Sequence, residues 1–227
     1  MAGSIMQYVL YLAVLVVLAI PLGTYMKKVM YGEKTIFSSI FTPCERIVCK
    51  VLHVQESEDM TWKQYLSSVF LFSGIGFVFL FLLQLLQGAL PGNPQGLAGT
   101  SWHLAFNTAA SFVTNTNWQS YSGESTLSYM SQAVGLTGQN FVSAATGIAV
   151  LFALIRGFTR VKAKGIGSFW VDMTRIVLHI LIPLNLVLAL LLVAGGVVQN
   201  LKPAEEVMLL EPVAVSASRE ILEDADI

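Results

Sequence analysis

Four stretches of this 227-residue chain carry no charged side chain: Ile5 to Met26, Leu66 to Gln87, Val134 to Ile155 and Ile176 to Val198. Each is 22 or 23 residues long. A helix of that length reaches about 33 Å, enough to cross a hydrocarbon core of about 30 Å with some tilt. The pattern predicts an all-α polytopic membrane protein with four transmembrane helices. Composition agrees, with 55% hydrophobic and 12% charged residues and a mean hydropathy of +0.67. That charged share is roughly half the usual value of about 25%. Disorder is excluded and a soluble fold disfavoured. A net charge of −1 offers nucleic acid no field to follow, so the expected surroundings are a lipid bilayer and not nucleic acid. Cys44 and Cys49 match neither a disulfide framework nor a metal or redox spacing. The first stretch lacks the basic region that precedes a secretory signal, so it is expected to stay in the mature chain.

Orientation follows from the basic residues between the stretches. Lys27, Lys28, Lys34, Arg46, Lys50 and Lys63 lie between the first two, and Arg156, Arg160, Lys162, Lys164 and Arg175 between the last two. Together they make eleven of the thirteen Lys and Arg. The 46 residues from Gly88 to Ala133 contain none. By the positive-inside rule the amino terminus is external, the two basic connections are cytoplasmic, and the long middle loop and the tail are external.

In the first basic connection, Thr42 and Pro43 predict a helix cap followed by a proline at the first helical position. Ile47, Val48, Val51 and Leu52 then recur at helical spacing, which predicts a short helix lying at the cytoplasmic interface. The same face could dock a partner. No G-x-x-x-x-G-K-[ST] motif occurs, so no nucleotide is expected to bind this chain.

The external loop is the informative piece. Pro91, Gly92, Asn93, Pro94 and Gly96 mark a turn-rich descent. Thr100 or Ser101 then caps a predicted helix running to about Val113, with an apolar body formed by Leu104, Phe106, Ala109, Phe112 and Val113. Thirteen residues give about 20 Å, too short to cross a bilayer, so this helix is expected to enter and return as a re-entrant pore helix. Directly after it come Thr114, Asn115, Thr116 and Asn117, uncharged and offering four consecutive carbonyls. A helix C-terminus directs about half a negative charge towards this strip, which favours a cation. Asparagine tolerates the positive φ that a carbonyl-lined filter demands, and such oxygens can replace the water shell of a potassium ion. The competing reading is an ordinary polar turn in a solvated loop, which is also rich in Thr and Asn.

The exact residues carry a resemblance. The strings SFVTNTNWQSYSGE (Ser111 to Glu124), TGQNFVSAATGIAV (Thr137 to Val150), RGFTR (Arg156 to Arg160), FTPCER (Phe41 to Arg46) and WKQY (Trp62 to Tyr65) resemble the potassium-binding subunit of the bacterial potassium-transporting P-type ATPase. Such subunits are built from four span, pore-loop, span repeats preceded by one extra helix. The resemblance implies that residues 1–63 are the extra helix with its cytoplasmic segment and that 64–156 form the first repeat. It further implies that 157–198 hold a cytoplasmic loop with the first span of a second, incomplete repeat, and that 199–227 are an external acidic tail. It implies that Thr114, Asn115, Thr116 and Asn117 are the first repeat's share of the selectivity filter. The transported substrate would be K⁺, selected from outside in a bacterial plasma (inner) membrane and passed towards the cytoplasm. ATP hydrolysis would then belong to a partner P-type ATPase subunit, with a small single-span subunit completing the assembly.

The tail from Gln199 carries seven acids against two bases, and ILEDADI (Ile221 to Ile227) departs from the family's glycine-rich approach to a second filter. That departure reads as a premature end, a frameshift or one half of a split gene, and the rival expectation is a non-conducting fragment or a different pore-loop cation transporter subunit. Catalysis at membrane depth is disfavoured, because the four stretches contain no Asp, Glu, Lys or Arg and a single histidine, His179. His179 is expected to be a neutral imidazole bonded to a neighbouring helix, with a functional role as the alternative. Gln139, Asn140 and Asn185 are expected to bond between helices or to line a cavity below the filter. Glu124, the one charged residue between Lys63 and Arg156, reads either as a tuner of the outer mouth or as a solvated carboxylate.

Overall fold

A computed structural model describes residues 2–55, 57–160 and 165–197. The acidic tail, together with Lys162, Lys164, Lys202 and Arg219, lies outside the described residues. Those residues are helical, with no strand among them. In order they form α1 (Ala2–Met30), α2 (Ser38–Val51), α3 (Trp62–Leu86), α4 (Trp102–Val113), α5 (Gly123–Thr126), α6 (Gly138–Thr159), α7 (Phe169–Arg175) and α8 (Ile182–Ala194). A tight 3₁₀ turn, Gln87–Ala89, ends α3. Wide π-helical turns, Ser131–Thr137 and Ile176–Leu181, lead into α6 and join α7 to α8. Among the described residues, four continuous helices are thereby long and apolar enough to cross a membrane: Ile5–Met30, Trp62–Ala89, Ser131–Thr159 and Phe169–Ala194.

These spans are longer than the charge-free stretches. Charged residues are accommodated at their ends, as at Lys27 and Lys28, and inside the fourth span at Asp172 and Arg175. Every side chain from Ile5 to Thr24 is exposed, and so are most leucines and valines of α8. In water such a surface would be a severe liability, whereas in a bilayer it faces acyl chains.

Two cores organise the bundle. Ala145, Ala149 and Ala153 recur every fourth residue on α6 and are buried, so α7 and the π-helical turn after it approach closely at Phe169, Met173 and Ile176. Tyr65 and Phe72 of α3 pack edge-to-face on Phe169 there. The second core holds α4 against α3 through Leu80, Ala109, Phe112, Leu127 and Leu136.

The helix in the first basic connection begins four residues before the expected cap. Its first residue is Ser38, and Pro43 is inside it. Thr35 supplies the local reason, since its N–H bonds Ser38 Oγ at 2.8 Å and turns the chain into the helix early. The helix also does more than rest on an interface, because Glu45 and Cys49 are buried where α2 packs against α7.

Asp59 and Met60 meet the other basic connection directly. Asp59 accepts the Gly167 N–H at 2.7 Å, and Met60 exchanges backbone bonds with Ile166 and Gly167 at 3.0 and 2.9 Å. Both basic connections therefore sit at one end of the molecule. The loop carrying α4 follows the far end of α3, at the other.

Candidate functional site

The strip after α4 is built by folding its N–H groups back onto that helix. Thr114 N–H donates to Ala110, Asn115 N–H to Phe112, and both Thr116 and Asn117 N–H to Ser111, at 3.0 to 3.3 Å. Two residues turn left-handed to allow this, Asn115 at φ 56° and Asn117 at φ 57°, while Thr114 stays right-handed at φ −82°. Alternation of this kind gathers successive N–H groups on one side and sends the carbonyls to the other. No carbonyl of Thr114–Asn117 accepts a hydrogen bond among the described residues. The asparagines thus occupy the positions where positive φ is needed and glycine is absent.

The hydroxyls face inward. Thr114 Oγ1 donates to the Ala110 carbonyl at 2.8 Å, Thr116 Oγ1 to the Ser111 carbonyl at 3.1 Å, and the two hydroxyls lie 3.0 Å apart. Carbonyl oxygens, not threonine side chains, are therefore what the strip presents. The negative end of α4 is taken up by the strip's own peptide N–H groups, so its dipole continues through those peptides to their outward carbonyls. All four residues are exposed.

Neighbouring side chains fix the strip. Asn115 Oδ1 accepts from Ser143 Oγ at 3.2 Å, and Ser143 lies 12 residues into the span Ser131–Thr159. Buried Ser111 donates its hydroxyl to the Trp118 carbonyl at 2.9 Å, and Trp118 Nε1 donates to Asn107 Oδ1 at 2.6 Å. The apolar helix, the polar strip and their contact with a span thus form one unit, which an isolated polar turn would not.

Gln87, fully buried, staples the loop in place. Its amide N–H groups donate to the carbonyls of Ala98 and Thr126 at 2.7 and 2.8 Å, and its Oε1 accepts from Ser128 N–H and Ser131 Oγ at 3.1 and 2.9 Å. Gln87→Leu would orphan these partners, each worth about 1–3 kcal/mol if left dry. We expect a clear drop in the unfolding midpoint in detergent; an unchanged midpoint would show that the staple carries little. Gly99 passes so close to the Leu85 carbonyl that a Cβ would collide with it.

At the opposite end are two buried ion-pair groups that the sequence reading did not single out. Asp172 takes a two-pronged bond from Arg156, at 2.5 and 2.8 Å, with the Tyr65 hydroxyl at 3.1 Å. Glu45 accepts from Arg175 Nε at 2.7 Å and faces His179 Nε2 at 3.1 Å. An acid in the apolar run FWVDM, 16 residues after Arg156, was the available signal for the first. For the second it was Glu45 on the buried face of an amphipathic helix. His179 bonds a neighbouring helix, as expected.

Asn185 does not bond between helices: exposed, it donates to the Leu181 carbonyl of its own helix at 2.8 Å. Pro183 lacks an N–H, and the His179 carbonyl four residues before it accepts instead from the Tyr25 hydroxyl at 2.5 Å. Asn140 Oδ1 is buried with no partner among the described residues, and Gln139 packs against Gly76. Glu124 is solvent-exposed. Its carboxyl is held below the usual carboxylate range by its own backbone N–H and then by Ser122 Oγ at 2.8 Å.

Burial opposes ionisation of Glu45, but the hydrogen bonds and charges of His179 and Arg175 outweigh it, so its carboxyl lies below its ordinary 4.5. A carboxyl depressed in the folded state contributes stability that is complete above the unfolded value and is lost as pH falls through the folded one. Below about pH 4.5 the stability difference between the native chain and Glu45→Gln should therefore shrink as the carboxyl takes up its proton. A difference that kept its full size well below that pH would contradict this pairing.

Residues 9–222 match the family model described as the potassium-transporting ATPase A subunit (KdpA). The chain is 60% identical over 224 residues to a potassium-transporting ATPase potassium-binding subunit of Clostridium botulinum, covering 99% of this chain and 39% of that protein. It is 61% identical over 215 residues to the one of Clostridium perfringens (95% and 37%) and 59% identical over 207 to the one of Listeria welshimeri (91% and 37%). It thus spans less than two fifths of the length of these relatives. Nearly every described residue, the strip and both ion-pair groups included, falls inside the matched range, and the chain belongs to the potassium-transporting ATPase A subunit family.

Proposed function

We propose that this chain forms part of the ion-selecting subunit of an ATP-driven potassium uptake complex, and that the carbonyls of Thr114, Asn115, Thr116 and Asn117 coordinate K⁺. One observation carries the reading: a strip whose N–H groups are all turned onto a helix end, and whose carbonyls are unengaged, is tied through Asn115 to the middle of an apolar span. Irregular backbone beside the middle of a bilayer is tolerated only where it is buried in protein or lines water, and bare carbonyls there suit a dehydrating cation. Four residues offer a fraction of a full oxygen shell, so the other strips of the assembled subunit would complete it. Residues 64–156 act as one pore-loop repeat, preceded by the helix and basic connection of residues 1–63 and followed by the span within 157–198.

In this reading K⁺ enters from outside a bacterial plasma membrane and moves towards the cytoplasm. The amino terminus is external, and both basic connections, which meet at one end of the molecule, are cytoplasmic. The chain does no chemistry; ATP is hydrolysed by a partner P-type ATPase subunit, and a small single-span subunit belongs to the assembly.

Cys44, exposed on α2, reports the orientation, while Cys49 is buried and should react slowly. A membrane-impermeant thiol reagent should spare Cys44 in intact cells and label it after permeabilisation. Labelling in intact cells would invert the orientation and put the strip on the wrong side for uptake.

A further inference from the structure

Away from the strip, a cavity of about 660 Å³ opens between the α1–α2 connection, α2 and the start of the fourth span. Ser39, Thr42 and Arg46 line it at spacings of three and four residues, one stripe along α2, with Lys34 at the foot of that helix. Arg175 forms its inner wall. This guanidinium is 15% exposed and uses only Nε, on Glu45; neither of its terminal nitrogens makes a hydrogen bond among the described residues. Those nitrogens face Gly32, where φ is +72° and no side chain intrudes. Lys34 and Arg46 form no ion pair, and the hydroxyls of Ser39 and Thr42 have no partner, again among the described residues. Of the two acids lining the cavity, Glu45 is engaged by Arg175 and His179, leaving Glu33. A mostly buried guanidinium with unused donors, converging with two unpaired cations and two hydroxyls, outnumbers Glu33, the one unengaged acid lining the same cavity among the described residues.

We infer that this cavity binds a phosphoryl group. Planar Arg donors and point-charge Lys donors match phosphate oxygens, and the N-terminal turn of α2 beside them adds favourable potential. The same chemistry is carried by an anionic phospholipid headgroup and by soluble phosphate. Ile36 and Ile40, 85% and 63% exposed beside the cavity, would meet acyl chains if the source is lipid. The inference stands apart from the ion-filter reading, since it concerns the other end of the molecule.

The test is thermal unfolding of the full chain in detergent micelles, with added phosphatidylglycerol, phosphatidylcholine or inorganic phosphate. A rise in midpoint with phosphatidylglycerol alone, its half-saturating concentration increased about tenfold or more in Lys34→Gln/Arg46→Gln, supports the site with lipid as its source. The same response to inorganic phosphate supports it with a soluble source. Both substituted side chains are exposed, so the variant should fold. Lys28→Gln/Lys50→Gln, which removes two basic residues outside the cavity, should leave the response intact. Equal response to both lipids with none to phosphate, an unchanged response in Lys34→Gln/Arg46→Gln, or an equal loss in Lys28→Gln/Lys50→Gln would each overturn the assignment.

Discussion

Arg156→Met is expected to destabilise the helical bundle by about 3–5 kcal/mol, because it strands a carboxylate in the interior. Asp172 has a side chain only 3% exposed, and Arg156 supplies both of its strong bonds. The pair joins α6 to α7, with Tyr65 bringing in α3, so one substitution loosens three helices at their common core. Arg156→Met/Asp172→Leu should recover much of the loss, since a well-packed apolar pair of similar volume often matches or exceeds a buried ion pair. Equilibrium unfolding in mixed micelles measures both variants. A single variant within about 0.5 kcal/mol of the native chain, as surface substitutions usually are, would show that the carboxylate finds water or another partner.

This pair also shows where sequence reading stops. Charge-free stretches revealed four spans because the bilayer imposes both length and composition on each. They could not reveal that the fourth span starts at Phe169 and carries Asp172 and Arg175, because whether a charge is tolerable depends on which residue of another helix meets it. Arg156 and Glu45, the partners that make those charges tolerable, lie 16 and 130 residues away.

The strip after α4 was legible for the opposite reason. Its order of short apolar helix and then Thr-Asn-Thr-Asn is local, and the positive φ of Asn115 and Asn117 is a property of the residue type. The inward turn of both threonine hydroxyls was not legible, since it depends on the carbonyls exposed at the end of α4. The bond from Ser143 was out of reach too, being a contact across 28 residues. Pro43 misled because a proline tolerated inside a helix looks, in sequence, like one that begins it.

In the assembled transporter, substitutions at Asn115 should separate backbone, anchor and charge. Asn115→Asp keeps the left-handed tolerance and an acceptor for Ser143 while placing a fixed negative charge beside the carbonyls. It should change K⁺ affinity or the discrimination against Na⁺ and Rb⁺. Asn115→Gly keeps the turn and loses the anchor, so a smaller defect is expected. Asn115→Val opposes the turn itself, because a β-branched residue at positive φ is a genuine outlier. Losing a coordinating carbonyl should cost on the order of 1–3 kcal/mol, or about tenfold to hundredfold in half-saturating K⁺. Thr116→Ala removes a hydroxyl that holds the Ser111 carbonyl and should weaken binding less than Asn115→Val. Rb⁺ uptake competed with K⁺, in cells lacking other potassium uptake, gives these values. Native behaviour in both Asn115→Asp and Asn115→Val would remove the strip from the ion path.

The most direct measurement is of the carbonyls themselves. Ion-exchange infrared difference spectra of the assembled complex, with asparagine and threonine carrying ¹³C=O, report whether those oxygens sense the ion. Exchanging K⁺ for Na⁺ should shift labelled carbonyl bands, and Asn115→Val should abolish the part of that difference arising from Thr114 to Asn117. A difference spectrum unaffected by the label, or identical in the native complex and in Asn115→Val, would mean that K⁺ is bound elsewhere.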